Sequence, residues 1–223
     1  MLASSKGLLE VVELLLLKGA DIHMRSNAGS TALNQAACNG HLEVVELLLL
    51  KGADIHLRSN AGSTVLNLTA NNGHLQVVEL LLLKGADIHM RSDDGWTALN
   101  YAAAGGHLKV AKLLLLNGAD LNSQDEDGDT AFLQAAASGH TDMVLLLLQR
   151  GVDINSKNKD GKTALSSAAH EGNEKVVEVL LQHNADISCQ DKDGKTALSW
   201  AEEKGHREVV EVIHSHQEAN PME

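Results

Sequence analysis

Twelve histidines are spread along this chain of 223 residues, and three of them, His23, His56 and His89, stand 33 residues apart. Imidazoles at a fixed spacing suggest a metal site, and the acidic run Asp125-Glu126-Asp127-Gly128-Asp129 suggests the opening of a calcium loop. Both suggestions fail on geometry. Ligands of one metal ion must each approach to about 2 Å, whereas residues repeated at this period sit in successive copies of one folded unit, in layers about 8 to 10 Å apart. The histidine ladder is therefore expected to satisfy loop backbone. An EF-hand loop that starts at Asp125 requires glycine at its sixth position and glutamate at its twelfth, where the chain has Thr130 and Ala136. His214 and His216 supply two ligands, too few for a structural zinc site. No phosphate-cradling glycine loop, nucleophile elbow or catalytic carboxylate pair stands outside the repeated positions. The expectation is a protein without catalysis, cofactor or metal.

The elements that carry these residues follow from three marks in one register. Gly19-Ala20-Asp21 returns at Gly52, Gly85 and Gly118, then as Gly151-Val152-Asp153 and Asn184-Ala185-Asp186. Gly29-Ser30-Thr31-Ala32-Leu33-Asn34 also returns, ending with Gly194-Lys195-Thr196-Ala197-Leu198-Ser199. Gly-His pairs begin at Gly40, Gly73, Gly106, Gly139 and Gly205, with Gly172-Asn173 as the exception. Thr31 is placed to cap a helix, because its hydroxyl accepts an otherwise unpaired backbone N–H, and the alanine-rich Ala32 to Ala37 makes a short first helix. Gly40 ends it. From Leu42 to Leu50 the pattern Leu-x-Val-Val-x-Leu-Leu-Leu-Leu gives a second helix, apolar over most of its circumference and so packed on two sides. Gly52 supplies a left-handed C-terminal position, and a polar loop turns the chain back. Helices below about 12 to 15 residues are marginal alone, so the copies must stack.

These residues resemble the ankyrin-repeat pattern Asp-x-x-Gly-x-Thr-Pro-Leu-His-x-Ala-Ala-x-x-Gly-His-x-x-Val-Val-x-Leu-Leu-Leu-x-x-Gly-Ala-Asp. The resemblance implies an all-α solenoid of stacked helix-turn-helix units with extended loop tips. It implies a single domain over residues 1–223: a partial repeat 1–25, repeats 26–58, 59–91, 92–124, 125–157 and 158–190, and a C-terminal capping repeat 191–223. Ser215 to Glu223 are expected to fray. The chain opens inside a first helix, so it is expected to be cut from something longer. Two departures are systematic. The proline of Thr-Pro-Leu-His is Ala or Val, which forfeits some pre-organisation but favours helix, and its histidine is Asn, Leu or Ser, a departure from the family's threonine–histidine hydrogen bonding.

In ankyrin-repeat proteins the loop tips and the outer side of the first helices form a concave surface that binds other proteins. The resemblance therefore implies a non-catalytic module for a protein or peptide partner. Carried onto this chain, the surface includes Arg25, Arg58, Arg91, Asp93, Asp94, Glu126, Asp127, Asp129, Lys159 and Lys162. Trp96 stands out, because its counterparts are Ser30, Ser63, Asp129, Lys162 and Lys195. Tryptophan, tyrosine and arginine dominate binding hot spots. Trp96 and Tyr101 are expected to anchor the partner, with Arg25, Arg58 and Arg91 meeting an acidic segment and Glu126, Asp127 and Asp129 a basic one. The plainer alternative folds Trp96 onto Tyr101 to shield the groove. Leu17, Leu50, Leu83 and Leu116 occupy a second-helix position that is usually polar in the family and is Gln149, Gln182 and Ser215 later in this chain. The simpler expectation is that the next unit partly covers this row; otherwise it packs on a neighbouring domain or a second copy.

Charge narrows the partner. Met1 to Ser92 holds 7 basic and 8 acidic residues, whereas Asp125 to Glu223 holds 9 and 19, so the net charge of −12 lies mostly in the last three repeats. Phosphate binding needs a basic face, which argues against nucleic acid. No long apolar stretch suggests a membrane span, and Cys38 and Cys189 fall several layers apart, which excludes a disulfide and fits a reducing, cytoplasmic setting. Two other functions remain open: a regulatory or targeting segment of a larger enzyme or effector, and, because Asn122 and Asn155 resemble the asparagines of ankyrin repeats that certain oxygenases hydroxylate, a substrate for asparagine hydroxylation. Residues 27–59 and 60–92 differ at six positions, which places individual specificity in the fourth to sixth repeats.

Overall fold

A computed structural model describes residues 1–219. Among them the chain is helical, without strands. The first helices are α1 Leu2–Ser5, α3 Ala32–Cys38, α5 Val65–Asn71, α7 Ala98–Ala104, α9 Ala131–Ala137, α11 Ala164–Glu171 and α13 Ala197–Lys204. Each is followed by its second helix: α2 Leu9–Leu17, α4 Leu42–Leu50, α6 Leu75–Leu83, α8 Leu108–Leu116, α10 Thr141–Gln149, α12 Glu174–Gln182 and α14 Arg207–Ala219. Contacts divide the chain into two compact units, one of Met1–Ala102 with Lys109–Asp120, the other of Ala103–Leu108 with the residues from Leu121 on.

Within the first unit α1, α3 and α5 pack in succession, as do α2, α4 and α6. The second unit repeats this with α9, α11 and α13 and with α10, α12 and α14. Ala36 and Ala37 are fully buried, so short side chains let first helices approach closely while Val44, Val45 and Leu48 fill the layer behind them. Each cap is where the sequence put it. Thr31, Thr64, Thr130, Thr163 and Thr196 have extended backbone, and each hydroxyl accepts the N–H three residues on.

Where the family has histidine after this threonine, asparagine restores part of the bonding. The Thr31 hydroxyl donates to Asn34 Oδ1. In the next copy the Asn67 amide donates to the carbonyls of Met90 and Trp96, at 3.4 and 3.3 Å, and so ties one repeat to the following one. Ser166 and Ser199 are too short to cross; their hydroxyls turn back to the carbonyls of Thr163 and Thr196.

The Gly-His pairs do cross. His41 Nε2 lies 3.0 Å from the Ser5 carbonyl and His74 Nε2 2.8 Å from that of Cys38. In the second unit His140 reaches Ala104 and His206 reaches His170, both at 2.9 Å. Asn173, the exception in sequence, fills the same place: its amide donates to Ala136 and Ala137 at 3.0 and 2.8 Å. Apart from Ala136, which already accepts the Gly139 N–H, these are carbonyls at the ends of the preceding first helices that have no acceptor role within the helix. Gly40 has φ 73°, and a Cβ there would stand 2.6 Å from His74 Nδ1. Glycine is therefore required twice, by its own backbone and by the neighbour's imidazole.

Two expectations need correction. Ser215–Ala219 continue α14 in helix rather than fray, because Gln217-Glu218-Ala219 stands where earlier copies have the Gly-Ala-Asp that ends the second helix; residues 220–223 lie outside the described residues. Leu17, Leu50, Leu83 and Leu116 are not covered by the next unit: they are 71, 83, 81 and 76 % exposed. The second helices do pack on two sides, but this position points away from both.

His74→Ala should lower unfolding stability by about 1 kcal/mol in urea titrations, the size of one lost hydrogen bond. Gly40→Ala should cost at least about 2 kcal/mol, because left-handed backbone strain and the displaced imidazole act together.

Candidate functional site

The loop tips are built by a residue that sequence reasoning passed over. The Ser26 hydroxyl accepts the N–H of Ser30, Ser59 that of Ser63, and Ser92 that of Trp96, at 3.1 to 3.2 Å. In the second unit carboxylates and an amide do the same. Asp125 Oδ1 accepts from the N–H of Asp127 and Asp129, Asn158 from Asp160 and Lys162, and Asp191 from Asp193 and Lys195. The signal lay in the first position of Asp-x-x-Gly, which always carries a short polar acceptor.

Successive tips are zipped together. In the first unit the N–H of Asn60 donates to Ala28 and that of Asp93 to Ala61; in the second, Lys159 donates to Asp127 and Lys192 to Asp160. Side chains reinforce this. Arg25 donates through Nε to its own Gly29 carbonyl at 3.0 Å and through Nη2 to the Arg58 carbonyl at 2.7 Å. Arg58 repeats the pattern on Gly62 and Arg91, and adds an exposed ion pair with Asp93 at 2.9 Å. Lys157 takes over in the second unit, donating to the Gln190 carbonyl. Arg25 and Arg58 are thus first of all staples between loops. Asp94 is exposed beside this network.

Trp96 and Tyr101 come together, with ring centroids 5.0 Å apart at 54°, and both are half-buried. The Tyr101 hydroxyl lies 3.4 Å from that of Ser63 in the preceding copy. Trp96 does lie against Tyr101, a contact common to the shielding and the anchoring readings of the pair. The same two repeat positions meet again in the second unit as Lys195 and Trp200, with the ammonium 3.9 Å from the ring centroid. Trp200 was not singled out in sequence, yet it gathers more than any other aromatic here. Its indole N–H donates to Asp191 at 2.8 Å, His170 meets it edge-on, and Lys162 stands 5.0 Å from the centroid.

The acidic residues of the fifth loop have separate tasks. Asp125 is buried as the turn acceptor, and its second oxygen accepts from Gln134. Asp129 accepts from the Asn158 amide at 2.8 Å. Burial, and after it the charges of Asp125 and Asp127, raise the Asp129 carboxyl above its ordinary range, against the Asn158 amide and Lys162, which lower it. Glu126 and Asp127 keep exposed carboxylates, although Lys159 donates to the Glu126 carbonyl. Burial works against charge on Asp191, but the N–H donors of Lys195, Trp200 and Asp193 hold its carboxyl below the usual range.

The histidine ladder does not serve the loop backbone as expected. The aspartates do: Asp21, Asp54 and Asp87 accept the backbone N–H of His23, His56 and His89, whose rings are exposed. Among the described residues no three His, Cys, Asp or Glu side chains gather to hold a metal ion. Cys38 and Cys189 are both free. No helix among those residues is long and apolar enough to cross a membrane.

A family model described as ankyrin repeats in three copies matches residues 1–92, 66–158 and 132–223. The chain belongs to the ankyrin-repeat family. Among solved structures it is similar to the human ASB11 ankyrin repeat domain, with a TM-score of 0.87 over 96 % of this chain and 95 % of that one, at 23 % identity. That likeness is one of fold. A comparison with curated proteins gives no match. Ankyrin repeats in general are protein–protein interaction modules, and the fold is typically non-catalytic.

Asp129 binds its proton more tightly in the folded chain than in the unfolded one, so its charge costs stability once pH rises above about 4. Asp129→Asn keeps an oxygen for Asn158. It should raise Tm by about 1 to 3 °C at pH 7 and match wild type near pH 3, where both states are neutral, as read by thermal unfolding followed by circular dichroism.

Proposed function

We propose that this ankyrin-repeat chain is a non-catalytic adaptor that receives a protein or peptide partner on its loop tips and first helices. The observation that carries this is the Trp96–Tyr101 pair. Two large rings stand in contact, Trp96 at a loop position where other copies have serine, aspartate or lysine and Tyr101 on the first helix that follows, and backbone hydrogen bonds between successive loops already fix the frame. Pre-ordered aromatics present apolar area at little further entropic cost, which is what a binding anchor requires.

Around this anchor the charges act by what remains of them. Arg25 and Arg58 spend Nε and Nη2 on their own chain and offer an acidic segment only their remaining Nη1 donors, with Arg91 beside them. Glu126 and Asp127 meet basic residues, while Asp129 contributes mainly by holding Asn158. Lys159 and Lys162 frame an acidic contact in the second unit. Leu17, Leu50, Leu83 and Leu116 form a second contact surface, for another copy or a neighbouring domain. Free cysteines and the acidic balance fit a cytoplasmic setting without nucleic acid.

Affinity capture with wild type and with Trp96→Ala, compared by mass spectrometry, identifies partners that depend on the anchor. Titration of such a partner should then show Trp96→Ala losing about 2 kcal/mol or more. A loss within about 0.5 kcal/mol for every captured partner would remove Trp96 from the site.

A further inference from the structure

Beside the exposed leucines run two rows of charge in the first unit. Glu13, Glu46 and Glu79 stand four residues before Leu17, Leu50 and Leu83, on the same helix face one turn nearer the N-terminus, and all are exposed. Lys18, Lys51 and Lys84 follow each leucine directly at the helix end, also exposed. Lys51 lines the same cleft as Leu17, and Glu79 the same cleft as Leu83. Because α2, α4 and α6 pack in succession, the three kinds of residue make parallel acidic, apolar and basic rows.

We infer that this face is closed by a second copy of the chain, related by a two-fold axis that runs along the leucine row. The inference rests on the reading of the row as a contact surface and is independent of the loop tips. A closed dimer places a face on itself through a two-fold axis in the interface plane. An axis across the row sets glutamates against glutamates and lysines against lysines. An axis along it sets leucines against leucines in the same register and brings Glu13, Glu46 and Glu79 of each copy over Lys18, Lys51 and Lys84 of the other. The fourth layer agrees, since Lys112 then meets the uncharged Asn117. With layers about 10 Å apart the row is about 30 Å long, and with its charged borders about 20 Å wide. That is roughly 600 Å² per copy and 1,200 Å² in all, the lower end of specific interfaces. The same position is Gln149, Gln182 and Ser215 in the second unit, so the apolar row ends within the first.

Sedimentation velocity of the whole chain from about 1 to 100 μM should show a monomer–dimer equilibrium. Leu50→Gln with Leu83→Gln introduces the residue this position carries at Gln149 and Gln182, so the fold should keep its helicity and cooperative melting. This variant should weaken dimerisation at least about 100-fold, because both copies lose two buried leucines. Glu46→Lys with Glu79→Lys should weaken it about 10-fold at low salt, and adding Lys51→Glu with Lys84→Glu should restore it to within about 3-fold. A monomer at every concentration overturns the inference and assigns the row to a different protein or domain. So does a dimer that survives the glutamine pair, or a charge exchange that fails to restore association. None of these outcomes touches the loop-tip reading, which Trp96→Ala tests separately.

Discussion

The side chain that reaches from one second helix back to the first helix of the preceding copy is the stitch on which the repeated layers depend for their spacing. A first helix of seven residues has no capacity to stand alone, and most of its last carbonyls have no partner within it. His74 brings a donor from the next copy to the last of them, the Cys38 carbonyl. The same bond therefore ends one helix, begins another and sets the distance between layers. It also dictates sequence in a place the histidine does not occupy, since the ring leaves no room for a Cβ at Gly40. Asn173 shows that the requirement is for a donor of suitable reach, because its amide makes the stitch at two carbonyls.

What was legible in the sequence is what local rules decide. Thr31 as cap, Leu42 to Leu50 as helix and the Gly-His pair as boundary depend on a few adjacent residues, and all three stand as read. What was missed depends on neighbours. The outward direction of Leu50 is not contained in an all-apolar run, which fits a helix buried on any side. Trp200 was passed over because its importance comes from His170 and Lys162, residues of the preceding copy. Arg25 and Arg58 were read as free charge, yet the partner for each guanidinium is a carbonyl 33 residues away. The helical Ser215–Ala219 follows from a missing stop signal, which is harder to notice than a present one.

The loop tips reconcile rigidity with variety. Backbone bonds between successive tips and a short polar acceptor at each turn hold the frame. The side chains at the positions of Trp96 and Tyr101 then change without disturbing it. In one copy they are two rings in contact, and in the last a lysine over a tryptophan. The same pair of positions thus offers an apolar contact in the first unit and a cationic one in the second. A surface of this kind alters its chemistry by substitution and leaves its geometry fixed.

The two faces of the first unit answer to different physics. At the loop tips most polar groups are already bonded, so a partner there displaces little structure and gains mainly from the few uncommitted donors and the aromatic pair. At the second-helix ends nothing is committed: four leucines stand in water, each more than two thirds exposed. Water penalises that area in proportion to its size, and the acidic and basic borders decide only the direction in which it is covered. The row runs through four layers and gives way to glutamine in the next two, so the apolar character of this face ends at a defined place in the sequence. The residues of the two faces are disjoint, so covering one leaves the chemistry of the other intact.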